Sequence, residues 1–381
     1  MAEESGSRGL ADRALALIAS GQAVSRTELA RHLGAAPSTV STTVQQLLSR
    51  GLVIEEGSQP SGGGRPRKVL RVGNSGGYAL AADVGRHHLR VARVRAGGRT
   101  ESIVATSFDV STGPEEGLAV IGKALRGVVQ GASGSLRAVG VSLPGPVDVA
   151  IGGVYRPSSM PGWDGFRVRD WLEEQFGVPA VVENDANLMA IGENAARRLD
   201  HQNSITIKAG SAIGAGVIIE GRLHRGATGA AGDITHVRVE AAEGIPCSCG
   251  NVGCLETVAS GAALVDMLSE QGAKFADVVE VVDAARNGHS QATTAVRQAG
   301  ALLGEVLSAN VNFFNPHAVY LGGILSTLEP FVASVRSRLY DGCHPIVTQQ
   351  LTIEPTLLGI DTGLVGAGVH ALQDVMSQAL A

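Results

Sequence analysis

The sequence predicts an α/β protein in two parts, a small basic helical head and a large two-lobed body with a cleft. Three observations predict it. Charge is split: residues 1–72 carry nine Lys or Arg against six Asp or Glu, a balance of +3, while the 381-residue chain is −5, which leaves −8 for the rest. Helical periodicity fills the head, whereas from Tyr78 onward apolar strands alternate with glycine-rich turns and amphipathic helices. Finally, residues 78–95 and 204–219 share one plan of strand, glycine turn and strand, so the body reads as two related halves with a small-ligand cleft between them.

A basic head on an acidic body implies that only the head approaches a polyanion. The length fits two or three domains, and 44% hydrophobic residues suffice for real cores. Apolar runs are broken by Gly, Arg or Asp well short of a membrane span, and the start MAEESGSRGLADRA is too acidic and too broken for a signal peptide. The expectation is therefore no membrane partner, cytoplasmic residence and reduced thiols.

In the head, Leu10, Ala14, Leu17 and Ile18 recur at helical spacing until Gly21. Ser25 and Glu28 form a capping-box signature opening a second helix, with Leu29, Ala30 and Leu33 inward and Gly34 as its stop. Pro37 starts a third, whose inward stripe of Val40, Val44, Leu47 and Leu48 leaves Ser38, Thr39, Thr42, Gln45, Gln46 and Ser49 facing out. Short hydroxyls and amides are poor helix formers but good partners for base edges and phosphates, so as a set they point to DNA rather than to an ordinary solvated face. The run Gly57 to Gly64 then leads through Arg65, Pro66, Arg67 and Lys68 into an apolar strand, Val69 to Val72. This pattern is a hairpin wing with a cationic tip, Arg suited to a minor groove and Lys to phosphate. Residues 8–72 thus read as a winged helix-turn-helix that binds operator DNA through Ser38, Thr39, Thr42, Gln45, Gln46, Arg65, Arg67 and Lys68, with Gly73 to Gly77 as a linker.

The sharpest chemical signal is a His-x10-Cys-x-Cys-x4-Cys array over 236–254, which uses three of the four cysteines. Three thiolates and an imidazole suit tetrahedral zinc, and four protein ligands leave no open position for a reactive water. His236, Cys247, Cys249 and Cys254 are therefore expected to hold one structural Zn2+, with glycines where the loop must turn sharply and Cys343 uninvolved.

Along the body come DVGRHHLRV at 83–91, VSLPGPVD at 141–148, ENDANLMAIGE at 183–193, a glycine loop at 210–216, GATGAAGDITH at 226–236, the zinc array continuing to Glu256, and NPHAVYLGG at 315–323. In that order they resemble the ROK family, the sugar kinases and sugar-responsive repressors of the actin-like, hexokinase-type ATPase superfamily, over residues 78–381. The resemblance implies an α/β fold with the winged helix-turn-helix in front of a two-lobed ROK domain. Expected boundaries are 1–74 for the head, 75–187 for the first lobe, rejoined by a C-terminal helix at about 365–381, and 188–364 for the second lobe with the zinc loop.

The same resemblance puts Asn184 and Asp185 at sugar-contacting positions, Asp185 where the kinases keep their general base; it puts Glu256 on the sugar and His236 on both zinc and the sugar side. An amide and a carboxylate together suit vicinal hydroxyls. Asp233 stands where the kinase pattern has Glu, so it reads equally as a ligand contact or as a turn residue. On the nucleotide side, Arg86 and His87 replace the second glycine and the threonine of the first phosphate loop, Ala212 replaces a glycine of the second, and Ile324 follows Gly322 and Gly323 where a third glycine is usual. Side chains there crowd positions where backbone must approach phosphate, and the expectation is a degenerate, non-catalytic domain without ATP binding. The reading is a transcriptional regulator, a repressor, that binds a sugar or sugar phosphate without phosphorylating it and acts as a homodimer or homotetramer. The alternative is an active ATP-dependent sugar kinase with a fused DNA-binding domain.

Overall fold

The computed structural model describes residues 9–380 except 12, 16, 19–21, 62–63, 73–76, 158–159 and 198–200; at 56–61, 64–67, 71–72 and 379–380 only the backbone is described. Arg8 and most of the expected linker lie outside the described residues.

The head begins with α1, helical at the described residues within 9–18, followed by α2 (Arg26–Leu33), α3 (Pro37–Ser49) and an antiparallel ribbon of β1 (Val53–Ser61) and β2 (Gly64–Val72). Ser25 caps α2 by accepting from the Glu28 amide at 3.3 Å, and the Glu28 carboxylate accepts from the Val24 amide at 2.8 Å. Gly34 ends α2 with φ +60°, the left-handed conformation that favours glycine. Val40, Val44 and Leu47 of α3 are fully buried against Leu29, Leu15 and Ile18, each such side chain contributing about 1.5–3 kcal/mol. The ribbon is tied back by the Leu70 amide, which donates to Val24 O at 2.8 Å, and by Glu55, which accepts from Arg26 and Lys68 at 2.9 and 2.6 Å. Lys68 and Arg26 hold the Glu55 carboxyl below the usual range.

In the body, β3 (Tyr78–Val84), β4 (His88–Arg95), β5 (Thr100–Ser107), α4 (Pro114–Val129), β6 (Leu136–Leu143), the short pair β7 (Val147–Asp148) and β8 (Gly153–Val154), α5 (Val168–Phe176), β9 (Ala180–Asn184) and α6 (Asp185–Ala196) follow in order. Then come β10 (Ser204–Ala209), β11 (Ile213–Ile219), β12 (Arg222–His224), α7 (Glu256–Ala259), α8 (Gly261–Glu270), α9 (Val278–Arg286), α10 (Ser290–Phe314), β13 (Ala318–Gly322), α11 (Glu329–Gly342), α12 (Pro345–Thr348), β14 (Thr352–Pro355) and α13 (Thr362–Leu380).

One five-stranded sheet runs β5-β4-β3-β6-β9 and the other β12-β11-β10-β13-β14. In each, the first strand pairs antiparallel with the hairpin strand after it and parallel with the next strand of the fold, so the plan seen twice in sequence is a repeated topology. The first sheet packs on α4 and α5 around Trp163, Leu118 and Leu125, the second on α8 to α11 around Phe331 and Leu303. Between them α6 lies on β10 and β11, α13 lies on β3 and β6, and the two helices touch each other. A Cβ on Gly366 would stand 1.8 Å from Leu188 O, and one on Gly192 would stand 2.0 Å from Thr362 O, so this crossing needs glycine at both contact points. At its far end α13 adds Met376 to the core of the head, and Arg222 after β11 donates to Gly9 O at 3.1 Å.

No described helix is long and apolar enough to cross a membrane.

Candidate functional site

The junction of β9 and α6 carries Asn184 and Asp185. Asn184 is the N-cap of α6: its Oδ1 accepts from the Ala186 and Asn187 amides at 2.9 and 3.2 Å, and its Nδ2 donates to Gly145 O at 2.9 Å. That cap fixes Asp185 in the first turn. Asp185 Oδ1 accepts from the Ala186 amide at 2.7 Å, and Oδ2 accepts from the ammonium of Lys208, which crosses from β10. Lys208 is the one charged residue of a strand otherwise lined by Ile205, Ile207 and Ala209. Burial works to lower its pKa, but Asp185, with Asp83 and Glu256 behind it, outweighs burial and raises it, so the ammonium form is secured.

Asp83, at the end of β3, accepts from Ser142 Oγ at 2.9 Å. The turn that follows is tight: the Gly85 amide donates to His88 O at 2.8 Å, and the His88 ring lies where a Cβ on Gly85 would be, 2.1 Å from its nearest atom. Burial pushes the His88 imidazole below its usual pKa, with Asp83 opposing. Arg86 and His87 are exposed. Glu256, at the start of α7, accepts through Oε2 from the Ile213 amide at 3.1 Å and from Thr235 Oγ1 at 2.5 Å, so it ties the zinc segment to the 210–216 glycine loop. Burial raises its carboxyl pKa against those bonds and the nearby His236.

The zinc segment folds on two isolated bridges, Arg238 with Cys254 and Pro246 with Val252, and turns at Gly250 and Gly253, whose φ values of +91° and +87° favour glycine. The donor atoms of His236, Cys247, Cys249 and Cys254 all lie within 4.8 Å of one another. On a tetrahedral zinc with Zn–S of about 2.3 Å, two sulfurs stand ~3.8 Å apart and a sulfur and an imidazole nitrogen ~3.5 Å. Here Cys249 and Cys254 Sγ are 3.7 Å apart, and Cys247 Sγ is 3.6 Å from His236 Nδ1. Without a cation the Cys254 thiol is pushed up to about 12 by burial and by Cys247 and Cys249, so the donor set calls for a metal to hold the thiolates together. The cluster fits a structural zinc. Cys343 lies apart from it, its Sγ 3.6 Å from Ser308 O.

Asp185, Glu256 and His236 therefore line one region with Asp83 and Lys208, while Asn184 is occupied as a cap that still borders it. Asp233 is exposed, and its amide donates to Ala230 O at 3.2 Å. In the head, Ser38, Thr39, Thr42, Gln45, Gln46 and Ser49 are all exposed along α3, Lys68 is exposed and paired with Glu55, and the side chains of Arg65 and Arg67 lie outside the described residues. Lys208 and Asp83 were missed in the sequence reading; the signal was a lone charge in an apolar strand at Lys208 and a carboxylate closing the strand at Asp83.

The body thus combines two sheets of repeated topology, a carboxylate at the start of α6 and a Cys3His cluster. The ROK family matches residues 79–374, and this chain belongs to that family. It is 30% identical over 348 residues to the xylose repressor of Bacillus spizizenii, which spans 90% of this chain and 89% of that one. Among solved structures, a ROK family glucokinase from Streptomyces griseus in complex with glucose and AMPPNP is 28% identical with a TM-score of 0.68, covering 78% of this chain and all 100% of its own. A ROK family transcriptional regulator, a homolog of the E. coli MLC protein, shares the fold over 98% of this chain and 99% of its own, with a TM-score of 0.75 at 24% identity.

These similarities overturn the expectation of a degenerate, non-catalytic domain. The body matches the whole of a kinase that holds glucose and a nucleotide analogue. The physical reason lies in the first loop: Arg86 and His87 are exposed rather than packed into the turn.

Proposed function

We propose that this chain is a sugar-responsive DNA-binding transcriptional regulator, a repressor, in which residues 1–74 form a winged helix-turn-helix and the ROK body takes a sugar or sugar phosphate. The single observation that carries the reading is the extent of the similarity to the xylose repressor: 90% coverage reaches well into the head, because only residues 375–381 follow the family match. The exposed polar face of α3 and the ribbon after it supply the groove-reading helix and the wing. Asp185, Glu256 and His236 supply the sugar contacts, with Asn184 bordering them and Asp233 at the rim. A homodimer would present two heads to two half-sites, and ligand in the cleft would bias the angle between the sheets, which α6 and α13 join.

A second reading adds catalysis to regulation. It is favoured by Asp185 at the position of the kinases' base and by the full-length likeness to the glucokinase. In that reading Asp185 accepts the proton of the sugar hydroxyl as its oxygen bonds to the terminal phosphorus of ATP and ADP leaves. Gel shifts with the promoter DNA of the neighbouring genes, titrated with hexoses, N-acetylhexosamines and pentoses beside a coupled ADP assay, test both. Sugar-dependent release of DNA supports the regulator, and sugar-dependent ADP adds the enzyme. Failure to bind any promoter fragment more tightly than random duplex contradicts the first reading.

A further inference from the structure

Lys208 is the feature of the site that the functional reading leaves unused. Its side chain is four-fifths buried, its ammonium bonds Asp185 Oδ2, and it stands among three carboxyl groups, those of Asp83, Asp185 and Glu256. Asp185 has little left to offer: Oδ1 already accepts from the Ala186 amide, so a sugar hydroxyl donating to Oδ2 must share that oxygen with Lys208 or displace it. The lysine stem is flexible, so an ammonium displaced from Oδ2 by a sugar hydroxyl can swing to an incoming anion. Two observations say where it would turn. Lys208 lies two residues before Gly210, at the entrance to the glycine loop whose turn is closed by the Gly210 amide donating to Ala212 O at 3.1 Å. Arg86, close enough to act on Glu256, brings a second cation to the same region, and His88 stands beside Asp83.

We infer that Lys208 is the phosphate-recognising residue of this cleft: latched to Asp185 when the cleft is empty, it binds the phosphoryl group that lies against the sugar hydroxyl at Asp185. This rests on the proposed sugar site and names its ligand class, a sugar together with a phosphoryl group, carried either as a phosphate monoester on the sugar or as the terminal phosphate of a nucleotide. Binding by Lys208 and release of Asp185 are one exchange, so the phosphate-bearing ligand gains an ion pair while a neutral sugar must compete with one.

The test is calorimetry on the full chain and its Lys208→Met and Lys208→Arg variants with matched probes: glucose and glucose 6-phosphate, N-acetylglucosamine and its 6-phosphate, xylose and its 5-phosphate, and AMPPNP with and without each free sugar. In the parent protein, one phosphate ester binds more tightly than its free sugar, or AMPPNP binds in the presence of one free sugar. Lys208→Met weakens that phosphate-bearing ligand by about tenfold or more, the loss of one charge-assisted hydrogen bond, while the free sugar binds as well or better. Loss confined to the ester assigns the phosphate to the sugar, and loss confined to AMPPNP assigns it to the nucleotide; either supports the inference. Lys208→Arg keeps most of the preference, which separates recognition from simple misfolding. Equal loss of free and phosphorylated ligands in Lys208→Met, or no loss of either, overturns the role of Lys208 and leaves the sugar site standing. No binding of any probe by the parent protein overturns the sugar site itself and this inference with it.

Discussion

Arg225 Nε donates to Glu183 Oε2 across 2.7 Å, and the carboxylate it holds belongs to the residue directly before Asn184 and Asp185. Glu183 is only 2% exposed, and its other oxygen accepts from the Asn184 amide and from Asn187 Nδ2 at 2.8 and 3.0 Å. The Arg225 guanidinium also lies 3.1 Å from His370 Nε2, on the helix α13 that sends Met376 into the core of the head. A polar connection thus runs from the Glu183 carboxylate, two residues before Asp185, to the helix that packs on the head.

Arg225→Met should separate ligand binding from the DNA response. Sugar affinity stays within a few-fold, because Arg225 does not touch Asp185, while ligand no longer releases operator. Stability falls toward the low end of the ~3–5 kcal/mol expected for breaking a buried pair, since Arg225 itself is one-third exposed. Urea unfolding and ligand-titrated gel shifts measure the two effects, and retained release in this variant would remove the link from the account.

His370 gives the link a pH dependence. Burial, then the neighbouring Arg225, hold its pKa below 6.5, with Glu183 and Asp374 opposing. The unfolded chain therefore takes up a proton that the folded one refuses. The stability associated with neutral His370 is fully present above pH 6.5 and declines as pH falls below it toward the folded value. Unfolding temperatures between about pH 7.5 and 5.5 should fall more for the parent than for His370→Gln. Parallel slopes would show that His370 contributes nothing.

Metal analysis should find one zinc per chain. Cys249→Ser loses it together with the order of the segment that positions Glu256, because the Glu256 amide is bonded to Thr235 O at 3.0 Å, beside His236. Cys343→Ser keeps the metal. Zinc retained in the first variant or lost in the second would contradict the assignment.

The head is tested by salt. Thr42→Ala or Gln46→Ala should weaken cognate operator by about 1–3 kcal/mol and random duplex little. Arg65→Ala, Arg67→Ala and Lys68→Ala should each lower the slope of log affinity against log salt by about one. Lys68 must leave Glu55, with which it is paired, to reach phosphate. Unchanged binding in all five variants would mean that another surface meets DNA.

How much of this was legible depended on range. The α3 stripe was readable because Val40, Val44 and Leu47 repeat at the helical period within one element, and the zinc donors because all four fall within nineteen residues. The repeated sheets were readable because each hairpin carries its own strand, turn and strand pattern. Lys208 with Asp185, and Arg225 with Glu183 and His370, were not, since each pairing joins residues on separate elements that only tertiary packing brings together. The loop after β3 misled for a local reason: replacing glycine by Arg86 looked like a filled space, whereas Arg86 is exposed and the ring lying against Gly85 is that of His88.

The most direct test of the regulator is operator occupancy as a function of sugar, read by fluorescence anisotropy on the full chain and on Asp185→Ala. The account predicts that one sugar class, free or phosphorylated, lowers operator affinity of the parent by about tenfold or more and leaves Asp185→Ala bound at every concentration. Equal release from both proteins, or occupancy that no sugar or sugar phosphate alters, would contradict it.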